Sequence, residues 1–172
     1  MGPVKGGYIL VLLWLGLVVP VFAANISVLV IETGVREGGA VHESSNLWET
    51  GLLDAFFDAG HIVSNAPIMS ITMSVTKSQS KEIPDEARAN LEEAVQGGAD
   101  FFILVLLDYQ GVTAANALQI KPQAVSLRLF RTRPYKFLYE QVYSDGAHTP
   151  GNDELTKAKG AARSILPHLG DR

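Results

Sequence analysis

Phe101-Phe102-Ile103-Leu104-Val105-Leu106-Leu107 is the stretch whose reading decides the fold. Seven apolar residues are far too few to cross a bilayer, which takes about 20. A short run without polar alternation is instead the pattern of a strand covered on both faces. Gly97-Gly98 stops whatever precedes it, and Asp108 ends it. The run Asn25-Ile26-Ser27-Val28-Leu29-Val30-Ile31-Glu32 has the same β-branched, nearly continuous apolar character and is likewise predicted to be a central strand.

Working outward, the period changes from strand to helix. Asn46 followed by Glu49 supplies a reciprocal cap, and Trp48, Leu52, Ala55, Phe56 and Ala59 recur behind it at helical spacing. Gly60 closes this first helix, and His61 to Ser64 reads as a short strand. Met69 to Val75 alternates well enough for another strand. Pro84, Asp85 and Glu86 open a second helix striped by Ala87, Leu91, Ala94 and Val95. Gly111 to Lys121 is read as loop or a short helical excursion.

Val125, Leu127 and Leu129 alternate with more polar neighbours, Thr132-Arg133-Pro134-Tyr135 turns the chain, and Phe137 to Tyr143 alternates again, giving a hairpin with one wetter face. Asn152 or Asp153 caps a last helix with Leu155, Ala158, Ala162, Ile165 and Leu169 on one side. Thr33 to Ser45 has glycines and no period, the signature of an exposed loop. The order predicts an α/β (α+β) fold, a single mixed β-sheet of about five to six strands with about three helices packed on it.

The amino-terminal end is organised for export. Lys5 is the one charge before the apolar run Tyr8 to Val19, Pro20 breaks it, and Val21-Phe22-Ala23 presents modest side chains to a peptidase. Residues 1–23 are expected to be a signal peptide cleaved after Ala23, leaving residues 24–172 as a single periplasmic α/β domain. The rival is an uncleaved anchor, but Tyr8 to Ala24 contains Pro20 and is only as long as the shortest spanning helices.

The chain has no cysteine. A fold held by packing in an oxidising compartment suits a bacterial periplasm. It also excludes a lipoprotein cysteine, a thiolate metal site and a thiol nucleophile. With 14 basic and 18 acidic residues the net charge is −4. Arg128, Arg131, Arg133 and Lys136 are only loosely grouped and are read as a solvated hairpin tip, so no nucleic-acid partner is expected. The sequon Asn25-Ile26-Ser27 falls on a strand and is read as coincidence.

The acids and histidines nearest in sequence are His42, Glu43, Asp54, Asp58 and His61. Asp54 and Asp58 are one helical turn apart, and His61 follows the helix end, where an imidazolium is favoured by the dipole. A small metal-dependent or hydrolytic periplasmic enzyme could use His42, Asp58 and His61 if they converged in one cleft. The plainer reading is two solvated acids and a structural histidine, with no catalytic residue, metal or cofactor. Ser44, Ser45 and Ser64 lack a glycine-flanked elbow. Gly34 to Gly39 lacks both the dinucleotide spacing and a phosphate-loop lysine and is read as a flexible loop.

The first helix carries more apolar surface than one face needs, because Leu52 and Phe56 point one way and Leu53 and Phe57 another. Trp48, Leu53 and Phe57, with His42 and Glu43 from the adjoining loop, are therefore the expected binding surface. Burial of both stripes is the alternative.

Three segments together resemble a known family. They are Leu52-Leu53-Asp54-Ala55-Phe56-Phe57-Asp58-Ala59-Gly60 running into His61-Ile62-Val63, the turn Gly97-Gly98-Ala99-Asp100 leading into Phe101-Phe102-Ile103-Leu104, and Val125-Ser126-Leu127-Arg128-Leu129-Phe130 with an amphipathic helix behind it. The pattern is similar to the periplasmic domain shared by curli-secretion channel proteins, lipoprotein activators of penicillin-binding proteins and the amino-terminal domain of the Tol-system propeller protein, over about Asn25 to Leu169. The resemblance implies a non-catalytic envelope-assembly accessory module that binds envelope proteins, and it carries over no catalytic residue. This chain departs in lacking an acylated cysteine and in lacking the usual glycine in the turn Arg131 to Lys136. No stable membrane insertion is expected after signal cleavage, and oligomer formation stays open.

Overall fold

The two apolar runs lie side by side. In the computed structural model, which describes residues 23–34, 41–72, 82–109, 121–144 and 153–170, β1 (Asn25–Thr33) pairs in parallel with β4 (Phe101–Asp108), Leu29 opposite Leu104 and Val30 opposite Val105. β2 (Ile62–Asn65) and β3 (Met69–Ile71) pair one after the other along the opposite edge of β1, also in parallel. β5 (Ala124–Thr132) adds antiparallel to β4, and β6 (Tyr135–Ser144) antiparallel to β5. The sheet is thus one mixed sheet of six strands in the order β2-β1-β4-β5-β6, with β3 also on β1. The expected class, strand number and central place of the two runs all hold.

Helices cover both faces. On one lie α1 (Glu43–Asp58) and α3 (Glu154–Ile165), whose Trp48, Leu52, Phe56, Ala158, Ala162 and Ile165 pack on Val28, Val30, Ile103, Val105 and Leu127. On the other, α2 (Asp85–Gln96) sets Ala87 and Ala94 against Leu29, Ile31, Phe102, Leu104 and Leu106. Alternate residues of β1 and β4 therefore enter different cores, the physical reason neither strand shows polar alternation. Gly60 has φ +85°, the left-handed turn that frees the chain from α1 into β2. Asp153 caps α3 by accepting the Thr156 N–H at 2.6 Å.

Three expectations need correction. The first helix begins at Glu43, not after an Asn46 cap, and His42 is its N-cap residue. Asn46 and Glu49 lie inside the helix, where Glu49 accepts from Asn65 Nδ2 at 2.9 Å. The cause is remote: the Glu32 carboxylate at the end of β1 accepts the His42 backbone N–H at 2.8 Å and starts the helix early. Ser44 and Ser45, assigned to the exposed loop, are consequently buried in its first turn. Arg128 is not at a solvated tip either. It is buried on β5 and pairs across the ladder with Glu140 of β6 at 2.8 Å. The signal peptide through residue 22, the glycine stretch 35–40, the strand expected beyond residue 72, and the excursion over 110–120 lie outside the described residues.

The α1–α3 contact is unusually close at one point. A Cβ built on Gly51 would lie 2.6 Å from Ala158 Cβ and 2.9 Å from the Leu155 carbonyl oxygen, so only a glycine fits that crossing. Asp54 and Lys159 pair beside it at 3.0 Å. Gly51→Ala is expected to destabilise the fold by about 1–3 kcal/mol through overpacking. Chemical denaturation measures this, and Ala158→Gly in the same chain should restore part of the loss.

Candidate functional site

The chain goes from β1 to β2 through α1 on one face and from β3 to β4 through α2 on the other. Between β1 and β4 the crossovers therefore diverge, and the carboxyl ends of those strands form the switch point where α/β sheets place their sites. Glu32, the penultimate residue of β1, is fully buried there. One of its oxygens accepts the His42 N–H and lies 3.2 Å from His42 Nδ1, and the other accepts the Ser70 hydroxyl at 2.9 Å. The His42 ring stacks on Tyr109, with centroids 4.2 Å apart. The Tyr109 hydroxyl meets Ser45 Oγ at 2.8 Å. Burial pushes the Tyr109 phenol well above its usual value, the Ser45 hydrogen bond opposes this, and the charges of Glu32 and Glu154 add to it. The tyrosine stays neutral and acts as a hydrogen-bonding wedge.

A second buried carboxylate lies nearby. Glu154, at the start of α3, accepts from Trp48 Nε1 at 2.7 Å and pairs with Lys157 Nζ at 2.9 Å. Trp48, Glu154 and Lys157 form one wall of a groove of about 540 Å³ between α3 and the open end of the β5–β6 hairpin. Val125, Gln141 and Tyr143 line the opposite side. The Tyr143 phenol is also raised by burial, against a hydrogen bond from Ser164.

The residues singled out from sequence are scattered. His42 precedes α1, whereas Asp58 ends it, and a helix of that length separates its ends by about 24 Å. The enzyme reading needed His42, Asp58 and His61 in one cleft, and the structure does not bring them together. Asp58 is exposed. His61 Nδ1 accepts the Ala24 N–H at 3.2 Å, holding the start of β1. Burial lowers the His61 pKa, so the neutral ring is favoured, not the imidazolium anticipated from the helix dipole. Among the described residues no group of three or more His, Cys, Asp or Glu is placed to hold a metal ion.

Of the expected binding surface, Trp48 is 1% exposed and belongs to the core, while Phe57 is 70% exposed. Leu53 is half-buried against that core, Glu43 is exposed, and His42 is half-buried on Tyr109. Glu32, Tyr109, Glu154 and Lys157 were missed. The available signal was the position of Glu32 and Asp108, each a carboxylate closing a long apolar run.

Two outcomes follow from these contacts. Glu32→Leu leaves the His42 N–H and the Ser70 hydroxyl without their acceptor and should cost about 2–5 kcal/mol in urea unfolding, with early hydrogen exchange in the first turn of α1. For His61, the folded pKa lies below the unfolded value near 6.5. Its contribution to stability is therefore complete above that pH and is lost as pH falls through the lowered folded value. Proton NMR should find the His61 midpoint below 6.5, and a midpoint above it would contradict the Ala24 hydrogen bond.

A family model described as "Uncharacterised protein" matches residues 36–143. No curated protein matches the chain. Among solved structures, the chain is similar to the PelC dodecamer from Paraburkholderia phytofirmans, at 14% identity and a TM-score of 0.46 over 89% of this chain and 93% of that one. It is similar to TolB from Acinetobacter baumannii at 10% identity and a TM-score of 0.43, over 87% of this chain and 29% of that one. It is also similar to lipoprotein GNA1162 from Neisseria meningitidis at 12% identity and a TM-score of 0.42, over 87% and 99%. No described helix is long and apolar enough to cross a membrane.

Proposed function

The chain belongs to the family described as "Uncharacterised protein", and for it we propose a non-catalytic, exported module that works by binding envelope proteins. The observation that carries this reading is Phe57. The last turn of α1 presents an aromatic ring that is 70% exposed, and Ile62, just beyond the Gly60 turn, is 64% exposed. Large apolar side chains left in water can serve as contact points, and an aromatic ring is a favoured anchor at the centre of an interface. Leu53, half-buried one turn earlier, extends the same side of the helix.

Several polar groups that could do chemistry are instead engaged in holding the fold, which supports the same reading. Glu32 holds His42 and Ser70, His61 accepts from Ala24, and Asp54 pairs with Lys159. The signal-like amino-terminal sequence and the absence of cysteine fit a periplasmic address.

A photo-crosslinking side chain at position 57 in the native host is expected to give a discrete adduct with an envelope protein, or with a second copy of the chain if the contact is self-association. The same group at Arg88, on the far side of the sheet, should give none. Phe57→Ser should shift the thermal midpoint little, because most of the ring is already in water. No adduct at position 57 would sink the reading.

A further inference from the structure

Gly160 lies in the interior of α3, where glycine is the poorest residue after proline. Nothing among the described residues requires it. Its φ is not in the left-handed region, and a Cβ built on it meets no other described part of the protein within 4 Å beyond its own helix turn. Gly51 on α1 is the contrast, since there the neighbouring helix fills the space a side chain would take. The space at Gly160 opens into the groove of about 540 Å³, which Gly160 lines together with Trp48, Val125 and Ala161. That volume falls within the range of about 300–1,000 Å³ typical of small-molecule sites.

The charges around the groove select among ligands. Glu154 is already engaged by Trp48 and Lys157. Arg163, on the same wall, makes no ion pair among the described residues. A guanidinium at the rim of an apolar slot presents a planar fork that matches a carboxylate, and the amide of Gln141 and the hydroxyl of Thr156 supply further polar groups. We propose that the groove between α3 and the β5–β6 hairpin binds an amphiphilic carboxylate, its aliphatic chain along Gly160, Ala124 and Tyr143 and its carboxylate on Arg163. This does not rest on the protein-binding reading, since the groove is lined by α3 and the β5–β6 hairpin and not by Phe57 or Ile62.

Isothermal titration of the purified protein with decanoate, decanol and decylamine, each below its self-association concentration, tests the proposal. Decanoate should bind saturably with one site, and decanol and decylamine at least about tenfold more weakly. Gly160→Leu should abolish decanoate binding with an unchanged or raised thermal midpoint, because the new side chain occupies the groove and improves the helix. Arg163→Gln should weaken decanoate about tenfold and leave decanol unchanged. Absence of decanoate binding, equal affinity for the three probes, or full affinity in folded Gly160→Leu would each overturn it.

Discussion

The parallel pairing of β1 with β4 is the constraint from which the other features follow. Both strands are apolar on both sides, and leaving either face in water would forfeit about 25 cal/mol for every Å² exposed. Helices must therefore lie above and below the sheet. α1 and α3 take one side and α2 the other. Because β1 is flanked by β4 on one edge and by β2 and β3 on the other, the two crossovers part at its carboxyl end. That divergence is what creates room for Glu32, His42, Tyr109 and Ser45.

The buried polar groups at this end act as fasteners. A carboxylate with no exposure is tolerated because it accepts a backbone N–H and a hydroxyl and faces a histidine. Its place near the amino terminus of α1 adds the favourable field of the helix dipole. Glu154 repeats the arrangement with Trp48 and Lys157, joining α1 to α3. Polar ties of this kind join elements distant in sequence, while apolar side chains such as Phe57 and Ile62 are displayed at the surface.

Glycines at two helix positions carry opposite meanings. At Gly51 the space is taken by α3, so the residue serves packing. At Gly160 no described neighbour takes the space, and the residue lines a groove. Composition and period treat the two alike, since both are glycines inside amphipathic stripes. The difference lies in what the opposing surface brings to each.

Local periodicity was enough to determine the class, the strands and the helical stripes, because the pleat and the helix turn are set by neighbours in sequence. Leu155, Ala158, Ala162 and Ile165 identified α3, and Phe101 to Leu107 identified the central strand, without reference to anything else. The start of α1, the burial of Trp48 and the separation of His42 from Asp58 and His61 depended on tertiary structure. Glu32 reaches His42 and Ser70, and Trp48 reaches Glu154 across 106 residues of sequence. Such contacts exist only once the sheet brings the strand ends together, and no local pattern of residues encodes them.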